Sequence, residues 1–271
     1  MVATDPEGVP DDPIDMTAVG AAISARTDQL CDRLCELDFD DLEQPSLLPG
    51  WTVLTIACHL RYGSQALRQI TSATLEGEPS AYYPGGRDVQ RPFTLQPALG
   101  EPRGHVIDSL RHESDELRAL WVQLADTDWD RTMTPHPGDD DSLGAMSLRD
   151  LALLRLVEVM VHGSDAGLGL APWPLTFGRW LLPLRVRRAR VVHEAGFDAV
   201  VEFDATDAES HRSRFANGSA TGPADRSPDL VVRAVANDLV ALLLGRQPLG
   251  AVTMDGDAEV MVRFRDGLTG P

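Results

Sequence analysis

The chain of 271 residues contains no lysine; all 24 of its basic residues are arginine. That absence removes Schiff-base catalysis on a lysine and a phosphate-binding P-loop lysine. Positive charge of any kind is scarce, and the formal net charge is −18. So acidic a chain is a poor partner for nucleic acid or an anionic membrane, both of which need basic surface. Cysteine is nearly absent too. Cys31, Cys35 and Cys58 are too few for a disulfide framework. No apolar run approaches the roughly 20 residues of a membrane span. The N-terminus lacks a basic segment followed by an apolar one, so no signal peptide is expected. These readings together predict a reduced, cytoplasmic protein. Hydrophobic residues make up 43% of the chain, enough to bury a core, and the length accommodates two domains.

Residues 1–16 are acidic and rich in proline and glycine and read as disordered. Four amphipathic helices then follow from apolar spacing. They are Thr17 to Leu37, Trp51 to Ile70, Arg103 to Leu124, and Ser147 to about Asp165. Thr52 is a plausible N-cap after the Pro49-Gly50 turn, and Ser147 with Asp150 resembles a capping box. Between the helices lie loops: an acidic one over 38–44, a glycine- and proline-rich one over 77–100, and one ending in Asp139-Asp140-Asp141. Four helices within 17–171 imply a four-helix bundle. Pro172 to Pro183 holds three prolines and reads as a hinge. Beyond it, 184–271 reads as a small α+β domain, its strands at Ala199–Phe203, Ser213–Phe215, Leu230–Ala234, Val252–Met254 and Val260–Phe264. A short helix follows Asn237 and ends near Gly245.

The candidate chemistry lies in Glu158-Val-Met-Val-His162. Residues i and i+4 share one helix face, so this carboxylate and imidazole project to one point. Glu158 sits amid Leu153, Leu154, Leu156, Val157, Val159 and Val161, where an unpaired carboxylate is costly. A cation would offset that cost, and so would an ion pair with Arg155. His59, on the second helix, is a third donor. Two nitrogens and one oxygen inside a bundle would make a three-ligand metal site with an open position. Cys58 points about 100° away from His59 and reads as core, and Cys31 and Cys35 read as packing residues. Trp51 reads as an anchor for the turn before its helix. His105, His112 and His136 have no ligand-like spacing, and no nucleophile-elbow sequence appears. The cluster Arg185-Val-Arg-Arg-Ala-Arg190 reads as an interdomain or anion contact.

Three segments carry a resemblance. Leu48-Pro-Gly-Trp-Thr-Val-Leu-Thr-Ile-Ala-Cys-His59-Leu60 resembles the helix-two signature of the DinB-like metalloenzymes. Arg155-Leu-Val-Glu158-Val-Met-Val-His162-Gly-Ser-Asp165 is similar to their fourth-helix signature, in the mycothiol-dependent maleylpyruvate isomerase group in particular. Asp238-Leu-Val-Ala-Leu-Leu-Leu-Gly-Arg246 followed by Met254-Asp-Gly-Asp257 resembles that group's second domain, related to sterol-carrier folds. The resemblance implies an α+β chain: a DinB-like bundle plus a sterol-carrier-like domain. It implies His59, Glu158 and His162 as ligands of a divalent metal, usually zinc, with mycothiol as the thiol bound in the open position. The substrate would be a small-molecule electrophile, isomerised or joined to the thiol. Arg246 would be the second domain's catalytic arginine, gripping a substrate carboxylate; the alternative is a helix-end charge facing the dipole or solvent. Arg155 and Asp165 flank the ligands and would serve the thiol cofactor, Asp165 as acceptor for an imidazole N–H or as a thiol contact, the alternative being an ordinary helix-end polar residue. The alternative is a non-catalytic binding protein with a vestigial metal site. Monomer and homodimer are both compatible with the sequence, and the 77–100 insert departs from the family pattern and could shape the substrate pocket.

Overall fold

The computed structural model describes residues 14–136, 145–193, 196–224, 226–246 and 248–269. The acidic loop at 139–141 and most of the N-terminal segment read as disordered lie outside them. Two compact units are formed, residues 1–171 and 172–271.

In the first unit, helix α1 (Met16–Cys35) starts where Asp15 accepts hydrogen bonds from the Thr17 and Ala18 amides. It buries Val19, Ile23, Leu30, Cys31 and Leu34. A one-turn helix α2 (Phe39–Leu42), capped by Asp38, follows within the acidic loop. Helix α3 (Val53–Glu76) is capped by Thr52, whose side chain accepts from the Thr55 amide, and stops at Gly77, where φ is +78°. A left-handed residue there satisfies the last carbonyls, and glycine adopts it without strain. The segment 77–100 is not all loop. It carries strand β1 (Pro79–Ser80) and helix α4 (Arg87–Thr94). Pro92 inside α4 hid that helix from a reading based on breakers. Helix α5 (Arg103–Trp121), a 3₁₀ turn (Asp126–Asp130), strand β2 (Thr134–Pro135) paired with β1, and helix α6 (Leu148–Asp165) complete the unit.

Helix α6 is the hub. Leu151, Ala152, Leu153, Leu156, Val157, Val159, Met160 and Val161 are all buried, so it is apolar nearly all round and surrounded by protein. From 151 to 163 its accessible positions are Leu154, Glu158 and His162, a line at i, i+4 and i+8. On α3, Thr55, His59 and Tyr62 form the matching accessible line. The two open lines bound the site.

Two buried arginines fix the register of these helices. Arg155 is 1% exposed. It donates across the bundle to the Leu60 carbonyl at 2.9 Å and the Ser64 and Ser114 hydroxyls at 2.6 and 3.3 Å. Gly63 makes room for it: a Cβ there would lie 3.1 Å from the guanidinium. Arg26 of α1 donates to Ser164 at 2.6 Å, the Met160 carbonyl at 3.3 Å and the Ala171 carbonyl at 2.7 Å. It thereby places a cation at the C-terminal end of α6. Burial lowers the pKa of both guanidiniums to about 10.

In the second unit, the stretch read as a hinge carries helix α7 (Leu175–Arg188). Pro174 occupies its N-cap, a position that needs no amide donor, so that proline starts a helix rather than breaking one. Arg185, Arg187 and Arg188 of the basic cluster form its last turn, where Arg185 donates to the Leu243 carbonyl at 3.3 Å, and Arg190 begins the next strand. Strands β3 (Arg190–Val191), β4 (Ala199–Ala205), β5 (His211–Ala216), β6 (Ser219–Ala220) and β7 (Leu230–Ala234) lead to helix α8 (Ala236–Leu243). Strand β8 (Thr253–Gly256), helix α9 (Ala258–Gly267) and strand β9 (Leu268–Thr269) end the chain. The sheet order is β8-β7-β4-β5-β6-β3-β9, with β4 parallel to β7 and antiparallel to β5. Its core is Val201, Phe203, Phe215, Leu230, Val232 and Phe264. The expected strand at Val260–Phe264 is helix α9 instead. Its apolar run suggested a strand, but Asp257 accepts from the Glu259 and Val260 amides and starts a helix. Helices α7 and α8 pack against each other. Gly178 meets Asn237 so closely that an added Cβ would lie 2.4 Å from the Asn237 nitrogen. Among the described residues, no helix is long and apolar enough to cross a membrane.

Only Cys35 of the three cysteines is exposed. Burial pushes the Cys31 and Cys58 thiols up to about 12 and about 11. A thiol reagent added to the native protein at neutral pH should therefore label Cys35 quickly and the other two only on unfolding. Rapid labelling of Cys58 would show that it lies open beside His59 rather than in the core.

Candidate metal centre

His59, Glu158 and His162 come together across α3 and α6. One ligand atom from each lies within 4.8 Å of the others, the sole such group found among the described residues. His59 Nε2 stands 2.6 Å from Glu158 Oε2, and His162 Nε2 stands 3.5 Å from the same oxygen. The imidazole rings meet edge to face, with centroids 4.9 Å apart.

Helix geometry explains the convergence. Glu158 and His162 are one turn apart on the single accessible line of α6, and His59 occupies the same level on α3. Asp165, buried at the end of α6, faces His162 Nδ1 at 3.0 Å. A carboxylate can only accept, so His162 carries a proton on Nδ1, and in the neutral ring its Nε2 lone pair faces Glu158. Two acceptors aimed at each other repel unless a proton or a cation lies between them. For His59 the short Nε2 contact calls for a shared proton, while its Nδ1 is buried without a hydrogen-bond partner among the described residues. The donor set thus suits a divalent ion in place of that proton.

Electrostatics point the same way. Burial pushes the Glu158 carboxyl up, but the hydrogen bond from His59, the positive charge of the two imidazoles when protonated, and the charge of Arg155 together outweigh it. The net result is a pKa below the usual carboxylate value, so Glu158 is an anion at neutral pH. The expected choice between a metal and an Arg155 ion pair is resolved in part. Arg155 reaches the far side of the bundle and acts on Glu158 only through its charge.

The structure relocates several residues. Trp51 does more than anchor a turn. Its ring stacks on His162, with centroids 5.5 Å apart and planes at 15°, and meets His59 edge-on at 5.2 Å. Pro49-Gly50 ahead of it gives the turn that aims the ring, Gly50 having φ +79°. Arg155, expected to serve the cofactor, lies in the interior with its donors directed at α3 and α5. Asp165 holds His162. Arg246 belongs to the second unit, just after Gly245 (φ +66°), and donates to the Leu244 carbonyl at 2.9 Å. Cys58 is fully buried.

The insert borders the site. Tyr62 donates to the Tyr82 carbonyl at 2.6 Å and stacks on Tyr83, while Arg91 of α4 stands 5.8 Å above the Trp51 ring. Sequence reasoning missed this group because no periodicity links α4 to Trp51.

Comparison with known proteins agrees with this geometry. Residues 23–167, more than half of the chain, match the family described as Mycothiol maleylpyruvate isomerase N-terminal domain. The chain belongs to that family. The matched span contains all three candidate ligands. Among solved structures, the mycothiol-dependent maleylpyruvate isomerase aligns over 90% of this chain and 95% of its own, at 18% identity and a TM-score of 0.64. A histidine-to-alanine mutant of that isomerase aligns over the same shares at 17% identity and 0.64. YfiT from Bacillus subtilis, a four-helix bundle of unusual topology, covers 61% of this chain and 90% of its own at 15% identity and 0.47. The isomerase shares both parts of this fold, the bundle and the mixed sheet unit. No curated protein matches the chain in sequence.

Proposed function

We propose that this protein is an enzyme that activates a low-molecular-weight thiol, mycothiol by family, for attack on a small electrophile. The supporting observation is the His59–Glu158–His162 group, three converging donors on accessible lines of two helices. A divalent ion held there, zinc being the first to test, supplies Lewis acidity that lets a thiol ionise near neutral pH.

The chain's own residues prepare that step. Two neutral imidazoles and one carboxylate leave a bound divalent ion with about one positive charge, which favours an incoming thiolate over a neutral thiol. Asp165 fixes the tautomer of His162. Trp51 covers one face of the His162 imidazole, sheltering it from water. The thiolate sulfur would add to one carbon of a substrate's cis double bond. The carbon–carbon bond then turns as a single bond, and expulsion of the same thiolate restores the double bond as trans. In a transferase the adduct is instead protonated and released. Both outcomes use the same three ligands. We place Arg246 in the second unit as a candidate carboxylate-binding group.

Cobalt substitution tests this reading. The cobalt-loaded protein should gain a sulfur-to-metal charge-transfer band when mycothiol is added. A cobalt spectrum indifferent to thiol would favour the alternative, a binding protein with a vestigial site. Asp165→Asn is expected to weaken zinc binding about 10- to 100-fold, because partners that orient a ligating histidine carry that much affinity. An unchanged zinc titration would reduce Asp165 to a helix-end polar residue.

A further inference from the structure

In so acidic a chain, arginines find carboxylates readily. In the first unit Arg33, Arg61, Arg68, Arg103, Arg111, Arg118, Arg131 and Arg149 each pair with a carboxylate. Arg26 and Arg155 are buried struts. That leaves Arg87 and Arg91, for which no carboxylate partner occurs among the described residues. Both lie on α4, four residues apart and therefore on one face. Asp88, the acidic residue of that helix, points about 100° away from Arg87.

Their position is informative. Arg91 is half-buried and stands over Trp51, the ring stacked on His162. The Tyr83 hydroxyl registers all these charges. Burial pushes its pKa up, Arg91, Arg87 and a hydrogen bond with Thr94 pull it down, and Glu158 pushes it up again. Arg87, one turn before Arg91 on the same face of α4, is exposed. The segment is also tied down at its far end, where Glu101 accepts from the Arg61 guanidinium and the Ala98 amide.

We propose that Arg87 and Arg91 form a carboxylate clamp that holds an anionic, unsaturated electrophile beside the His59–Glu158–His162 centre. This rests on reading that centre as the thiol-activating site. Planar guanidiniums one helical turn apart can each take a carboxylate of a short diacid, or share one. Part of the specificity for an anion would then lie in the insert of the first unit. Arg87 and Arg91 would be positioning residues, with the chemistry left to the centre.

Calorimetric titration of the full chain with maleate, dimethyl maleate and inorganic phosphate tests the clamp. Maleate should bind, and its neutral diester should not. Arg91→Gln should weaken maleate about tenfold or more, Arg87→Gln/Arg91→Gln further, and Arg91→Lys in part, since lysine keeps the charge but loses the fork. Arg118→Gln, at an exposed pair on α5, should leave maleate binding unchanged. Maleate affinity equal in wild type and Arg91→Gln would overturn the clamp, and so would phosphate binding as tightly as maleate. Zinc titration separates the two readings. Arg91→Gln should bind zinc as wild type does, whereas failure of the wild type to bind zinc would count against the thiol-activating site itself.

Discussion

His162→Ala is expected to weaken zinc binding by roughly a hundredfold or more, the largest single effect on the centre. The orienting partners of such ligands carry about 10- to 100-fold in affinity, so the loss of a ligand should exceed that. The substitution should leave the fold intact, because His162 lies on the accessible line of α6 and its side chain is 16% exposed. A competition titration against a chromophoric chelator measures the change, with thermal unfolding as the control. Glu158→Gln should act in the same direction. It keeps the shape but removes the negative charge that draws a cation to the two imidazoles. Equal zinc affinity in wild type and His162→Ala would show that the three donors meet without holding a metal. The same trio predicts competition between protons and metal. The His59 proton shared with Glu158 must leave before zinc enters, so affinity should fall as the solution is made acidic.

How far the sequence reveals this centre depends on the range of each interaction. Glu158 and His162 are legible because helical spacing alone puts them on one face. His59 is legible through the Pro-Gly-Trp turn and the Thr52 cap that set its helix. Trp51 is not, since its stack on His162 joins residues 111 positions apart in sequence. Helix α4 is hidden by Pro92 and by an apolar content too low for a stripe, while α9 is hidden by a strand-like apolar run that the Asp257 cap overrules. The bundle itself is carried by long periodic segments, where pattern reading is strongest. The second unit depends on pairings between distant strands, such as Val201 with Leu230, which no local pattern fixes.

Arg155 shows the limit most clearly, and it carries the largest expected effect on stability. An arginine three residues before Glu158 suggests a surface ion pair or a cofactor contact. The fold instead buries it, with three hydrogen bonds to α3 and α5. Arg155→Ala should destabilise the protein by about 3–5 kcal/mol, through the cavity left by a large buried side chain and the loss of those bonds. Two effects oppose each other, because removing a guanidinium whose pKa is held down to about 10 also relieves a desolvation penalty. Arg155→Met separates them. It refills most of the volume without the charge, so it should recover part of the loss if the cavity dominates. In both variants the Glu158 carboxyl should rise, since a positive neighbour is gone. Zinc affinity should change far less than in His162→Ala, because Arg155 touches no ligand atom. Thermal unfolding monitored by circular dichroism, alongside the zinc titration, distinguishes the cases. A stable Arg155→Ala protein that fails to bind zinc would return Arg155 to the site. An unstable one that still binds zinc makes it the strut that holds α3 and α6, and with them His59 and Glu158, in register.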